Sequence, residues 1–431
     1  MTALTPAPPG SATGSATRPA TGSATGRPGR ARIATALAGL GPAVVAAIAY
    51  VDPGNVATNV AAGSQTGYLL VWVIVTANLI AVLVQNLSAK LGLATGRSLP
   101  ELCREHLRPA TCRGLWAQAE VVTIATDLAE VVGGAVALHL LFGLPLVQGA
   151  LITAVVAFGL LAVQSRGAGR FELVIGGLFA VVLLGFLVSL VGSQPAPRDV
   201  AGGLVPRLDG PDSLLLATGV LGATVMPHVV YLHSAMTAGT VPSTAAPAER
   251  RRVLGTHRRG IALALGLAGL VNLSMLVMAA ALFYSHGRVV ETLEGAHAGL
   301  DGSLGSSAAL LFALALLASG LASTGVGTYA GQVVMTGFLR RQVPVLLRRS
   351  ASLVPATALL ATGVDPTKAL VVSQVVLSFG IPFALVPLVL FTRRRDLMGP
   401  LVNRRVTTGT AWLCSAVVIT LNAVLLWRTL S

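Results

Sequence analysis

Eleven stretches of this chain stay apolar over nearly the length that a helix needs to cross a bilayer, roughly 20 residues. They lie at about 36–62, 67–90, 114–141, 146–164, 171–193, 213–238, 260–284, 306–338, 343–362, 369–391 and 408–428. Of the 431 residues, 54% are hydrophobic and 11% are charged, and the mean hydropathy is +0.78. A soluble domain carries roughly 25% charged residues, so this composition excludes a soluble enzyme and a disordered chain. The 48 glycines suit helices that approach closely inside a membrane. Cys103, Cys112 and Cys414 make neither a disulfide framework nor a metal-type CxxC pair. The expected class is an all-α polytopic membrane protein.

A net charge of +14 would suggest nucleic acid in a soluble protein. Here the basic residues gather in short clusters between the apolar runs. With the amino-terminal tail and every second loop assigned to the cytoplasm, 25 of the 30 Lys and Arg fall inside. That bias orients the chain under the positive-inside rule, with the N-terminus cytoplasmic and the C-terminus outside a cell membrane. Residues 1–31 are repeats of Ser, Ala, Thr, Gly, Pro and Arg, a composition expected to remain a disordered cytoplasmic tail. Residues 32–431 form the transmembrane domain.

Two spans are interrupted near their middles. Segment one reads AAIAYVDPGNVATNV, with Asp52, Pro53, Gly54 and Asn55 in an otherwise apolar run. Segment six reads GVLGATVMPHVVYLHS, with Met226, Pro227 and His228. Proline breaks a helix, and an acid at membrane depth marks a functional site. A proline kink with its acid neutralised by a base would explain segment one alone. Interrupted helices at matching places in two halves of a chain point to a transporter site instead. Freed carbonyls, a carboxylate and an amide would suit Mg²⁺ or Ca²⁺. A thioether adds a soft donor that those ions gain nothing from, and the combination argues for a divalent transition metal.

With these residues in place, the chain resembles the Nramp family of proton-coupled divalent metal transporters, most closely its bacterial manganese branch. DPGN at 52–55 and ATVMPH at 223–228 look like the family's two signatures. GVGTYAGQ at 325–332 looks like its third characteristic stretch. The likeness runs from about residue 36 to 429. It implies a leucine-transporter-like fold of two inverted five-helix repeats, about 36–193 and 213–391, with helices one and six broken and an extra helix at about 408–428. It also implies that Asp52, Asn55 and Met226 ligate the metal, joined by the Ala49 and Ala223 carbonyls and, in some states, by Gln374. Val229 stands where the family often has Asn, at a position that is not a ligand.

Segment three carries Glu120, Asp127 and Glu130. At about 100° per residue, 120 and 127 lie about 20° apart and 127 and 130 about 60°, so all three share a helix face. Intramembrane carboxylates of this kind are the makings of a proton relay. The resemblance implies that they join Arg348, Arg349 and His233 in a polar network running from the metal to the cytoplasm. A static ion-pair network between segments three and nine is the structural alternative. His228 has two open readings, a proton-linked residue near the metal or a gate-packing group.

The implied activity is import of Mn²⁺, with Fe²⁺ and related ions, coupled to protons by alternating access. A sodium- or proton-coupled amino-acid symporter of the same fold group is the alternative, although such a site has no use for Met beside Asp. A membrane receptor would be expected to carry a large soluble segment. An intramembrane hydrolase would need a motif such as GxSxG or HExxH, and neither occurs. The expected partners are divalent metal ions, protons and lipid. No enzyme activity, resident cofactor, nucleic acid or obligate protein partner is expected.

Overall fold

The structure, a computed structural model, describes residues 41–165, 168–242, 245–341 and 343–430, with the backbone alone at 161–165, 168, 345–346, 348–349 and 429–430. The expected tail, 1–31, lies outside the described residues. The described residues form helices and connecting turns, with no strand. In chain order the helices are α1 (41–49), α2 (Pro53–Thr66), α3 (Val71–Thr95), α4 (Leu99–His106), α5 (Pro109–Phe142), α6 (Leu146–Ser165) and α7 (Ala168–Ser193). There follow α8 (Pro197–Gly202), α9 (Gly210–Thr224), α10 (Pro227–Thr237), α11 (Pro247–Leu282), α12 (Leu293–Leu304), α13 (Ser306–Leu339) and α14 (Val345–Ala361). The last three are α15 (Pro366–Thr392), α16 (Arg395–Met398) and α17 (Arg405–Leu430).

Every apolar segment of the sequence coincides with a helix or, for the first and sixth, with a pair of half-helices: α1 with α2, and α9 with α10. Among the described residues eight spans are long and apolar enough to cross a membrane, and α6 and α14 add shorter apolar helices. The apolar pattern conceals four connections that contain helices of their own: α4, α8, α12 and α16. Helix α4 is started by Ser98, whose backbone N–H donates to the Glu101 carboxylate at 2.7 Å. Helix α11 begins well before the seventh apolar run. Its first turns carry Arg250–Arg259, with Pro247 at the start and Glu249 in the first turn, so this basic cluster is helical and not a loop.

Burial is arranged from the inside out. The α9–α10 pair is 89% buried over its most apolar stretch, whereas α17 is 28% and α7 33% buried over theirs. Apolar residues such as Leu173, Val191 and Leu413 lie exposed on these outer helices. Lipid covers such surfaces without cost, because hydrocarbon is their preferred solvent. The half-helix α2 is central and touches α5, α9, α11 and α15. Close approach there depends on Gly133 of α5, where an added Cβ would fall 2.0 Å from the Pro53 ring. Peripheral α17 packs on α15 and α9. Its Asn422 amide donates to the Ser378 carbonyl at 2.9 Å and accepts from the Ser378 hydroxyl at 2.7 Å.

Candidate metal site

The two breaks follow from the same chemistry. A proline has no N–H for the carbonyl four residues earlier. For Pro53 that carbonyl belongs to Ala49, and for Pro227 to Ala223. Residue for residue the first break precedes the second by 174 positions, so Asp52 and Met226 are counterparts as well. Each is the N-cap of its second half-helix.

Asp52 caps α2, its Oδ1 accepting the Asn55 backbone N–H at 2.8 Å. The Asn55 side-chain amide donates to Asp52 Oδ1 at 2.7 Å and, across the two breaks, to the Ala223 carbonyl at 2.9 Å. From α15, Gln374 Nε2 reaches Asp52 Oδ2 at 3.3 Å. Gly54 leaves room for this approach, since a Cβ there would collide with the Gln374 amide. Asn55 Oδ1 and Gln374 Oε1 have no hydrogen-bond partner among the described residues. Met226, with no side-chain capping bond, is fully buried at the second break. All six expected ligand positions (49, 52, 55, 223, 226 and 374) are at most 2% exposed. These positions are therefore out of contact with solvent.

In this geometry two amide NH₂ groups occupy the hydrogen-bonding positions of a carboxylate and a carbonyl that could face a cation. Turning either amide by 180° would present an oxygen instead. Among the described residues no three His, Cys, Asp or Glu side chains converge as in a resident metal centre. What meets at the breaks instead is one carboxylate, two amides and the Ala223 carbonyl, an oxygen-rich group of moderate donor strength.

Asp127 and Glu130 come together against α13. An added Cβ at Gly327 would lie 2.9 Å from a Glu130 carboxylate oxygen and 3.3 Å from an Asp127 oxygen, so both acids are directed at one point. The GVGTYAGQ stretch thus supplies the space in which they meet. Glu130 and Asp127 are buried, while Glu120, farther toward the start of α5, is half-buried. His228 Nδ1 lies 3.4 Å from the hydroxyl of Thr126, the residue before Asp127, which ties the second break to this cluster. The side chains of Arg348 and Arg349, on α14, lie outside the described residues. Helix α14 packs against α5.

His233 is placed elsewhere. Its Nδ1 pairs with Gln85 Oε1 of α3 at 2.8 Å, and the Gln85 amide donates to the Tyr50 hydroxyl. The Tyr50 carbonyl accepts from Asn272 Nδ2 at 2.8 Å, and Asn59 Nδ2 donates to Asn272 Oδ1 at 3.1 Å. The Ser319 hydroxyl donates to the Val51 carbonyl. Tyr50, Gln85, Asn59 and Ser319 were not singled out by the sequence reading. Their signal was a polar group within an apolar run, which is weak for each alone. His257 is buried on α11 and not in a loop, because α11 extends beyond the apolar run.

The Nramp family model, described as natural resistance-associated macrophage protein-like, matches residues 43–428. The chain belongs to the Nramp family. It is 51% identical over 394 residues to the divalent metal cation transporter MntH of Deinococcus radiodurans, covering 91% of this chain and 90% of that one. Its identity to the protein of the same name from Bacillus subtilis is 46% over 391 residues, or 90% and 92% of the two chains. A crystal structure of a mutant manganese transporter from Eremococcus coleocola superposes with a TM-score of 0.81 at 32% identity, covering 90% of this chain and 86% of that one. A nucleobase-cation-symport transporter in a closed conformation shares the fold alone, with a TM-score of 0.59 at 15% identity. Nramp proteins are membrane transporters and not enzymes, and this member is a multi-pass membrane protein.

Proposed function

We propose that this Nramp protein imports divalent transition-metal ions, chiefly Mn²⁺ and also Fe²⁺, across the cell membrane in symport with protons. The observation that carries the reading is the meeting of Asp52, Asn55, the Ala223 carbonyl and Gln374 at two proline breaks, with Met226 buried at the second. Asp52 supplies the charge and Asn55 and Gln374 supply amide oxygens after turning. Ala49 and Ala223 contribute carbonyls in different states, and Met226 contributes the soft donor that disfavours Ca²⁺ and Mg²⁺. The relatives' description as divalent metal cation transporters, and that of the Eremococcus coleocola protein as a manganese transporter, support the same cargo.

Protons take a separate route in this reading. Asp127 and Glu130 carry them from the neighbourhood of His228, and Glu120, Arg348 and Arg349 continue the path to the cytoplasm. His233 takes part through Gln85 and Tyr50. The chain crosses the membrane eleven times, as two inverted five-helix repeats plus α17, with its N-terminus cytoplasmic and its C-terminus outside. Alternating access exposes the pocket to one side and then the other. The cargo is transient, and no resident cofactor or protein partner is invoked. The test is Mn²⁺ uptake into proteoliposomes under an imposed pH gradient, with Ca²⁺ and Mg²⁺ as competitors. Uptake that ignored the gradient would overturn the coupling, and equal competition by Ca²⁺ would overturn the selectivity.

A further inference from the structure

Away from the breaks, a cavity of about 720 Å³ opens between the end of α3, the first turns of α11 and the segment leading into α17. Lys90, Arg251, Arg258 and Arg404 line it together with Gly255 and Thr407, and no Asp or Glu does. None of these four cations makes an ion pair with a carboxylate among the described residues. Lys90 is the informative one, because it is only 5% exposed. Its ammonium donates to Asn403 Oδ1, a neutral acceptor. Asn403 is itself fixed on Thr392, its backbone N–H on the carbonyl at 3.0 Å and its amide on the hydroxyl at 2.9 Å. A buried ammonium without a counter-charge is costly, and three guanidinium groups around it add repulsion. An anion in the cavity offsets both.

The shape is suited to one. Arg251, Gly255 and Arg258 share one face of α11, about 40° and 60° apart, so two arginines flank a glycine. A Cβ built at Gly255 meets nothing within 4 Å, which leaves the floor of the cavity open. Apolar side chains are exposed farther along the two helices that border the cavity. Leu263 on α11 and Val406 and Leu413 on α17 are exposed, and α17 is the least buried of the spans. A ligand that fits here joins an anionic head to a hydrocarbon tail. Guanidinium and ammonium groups at the border of a bilayer recognise a phosphate in that setting.

We propose that this cavity binds the phosphodiester head of an anionic phospholipid from the leaflet on the basic side of the molecule. The bound lipid neutralises Lys90 and joins the start of α11 to the start of α17. The site is separate from the metal pocket and requires only that the protein lies in a membrane.

The test uses the full-length protein in a neutral detergent. Phosphatidylglycerol, phosphatidylcholine or inorganic phosphate is added at equal phosphate concentration, and unfolding temperature and lipid adducts by native mass spectrometry are read. Phosphatidylglycerol should raise the unfolding temperature by about 2–4 °C and persist as an adduct, while the other two do neither. The double variant Arg251→Gln, Arg258→Gln, at exposed positions, should lose both signals. Gly255→Glu, which sets a carboxylate into open space, should lose them too. An equal shift with phosphatidylcholine, or an undiminished adduct in both variants, would overturn the site. A full shift with inorganic phosphate would overturn the lipid assignment in favour of a soluble anion. Neither readout involves metal, so failure here and failure of the transport reading are separately visible.

Discussion

The two helix breaks share a backbone and differ in their caps. At the first, Asp52 satisfies the start of α2 with its own carboxylate and recruits the Asn55 and Gln374 amides. At the second, the equivalent position is Met226, which makes no capping bond. A helix N-terminus usually takes a polar cap, and an apolar one forgoes about 1 kcal/mol. The second break thus gives up local stability at a position where a thioether is useful. Under the proposed function, charge belongs to one break and discrimination to the other.

The largest effect is expected at the charged cap. Asp52→Ala leaves amides and carbonyls with no anion among them, a loss of about 3 kcal/mol or more, which is roughly a hundredfold in Mn²⁺ affinity. Calorimetry and uptake should both fall near background, and wild-type affinity would end the assignment of a metal site.

The shared backbone is tested next. Pro227→Ala restores an N–H that can close on the Ala223 carbonyl and compete with a cation for it. One such hydrogen bond corresponds to a loss of up to roughly tenfold in Mn²⁺ affinity. Unaltered affinity, measured by the same calorimetry, would mean that the freed carbonyl contributes nothing.

At the soft cap the expected change is one of ratio. Met226→Ala should cost Mn²⁺ about a few-fold and Cd²⁺ more, while Ca²⁺ begins to compete for uptake. If the Ca²⁺ to Mn²⁺ ratio stays that of the wild type, Met226 is packing and the two caps are not specialised.

The smallest effect on metal belongs outside both breaks. Asp127→Asn should leave Mn²⁺ binding within about twofold while flattening the dependence of uptake on external pH, recorded together with intravesicular pH. A pH response like that of the wild type would return Asp127 to a structural role.

The spans and both breaks were legible in the sequence because each is a local property. Twenty apolar residues declare a membrane helix, and DPGN or VMPH within one declares its interruption. The facing of Asp127 and Glu130 followed from helical periodicity, but their convergence on Gly327 did not, because it depends on how α13 packs against α5. Gln374 entered through family resemblance alone, since no local pattern links it to Asp52, 322 positions away. The Tyr50–Gln85–His233 chain was missed for the same reason: its three members come from the first break, α3 and α10. The early start of α11 was hidden by charge, because arginine lowers hydropathy while it favours helix.

A carrier must return without its load as readily as it travels with it. The amide protons of Asn55 and Gln374 hold the Asp52 carboxylate and the Ala223 carbonyl, so the acceptors at the breaks are already engaged. An ion arriving has to displace them, which lowers its net affinity and eases its departure. Turnover in such a protein is set as much by what fills the site between passengers as by the passenger itself.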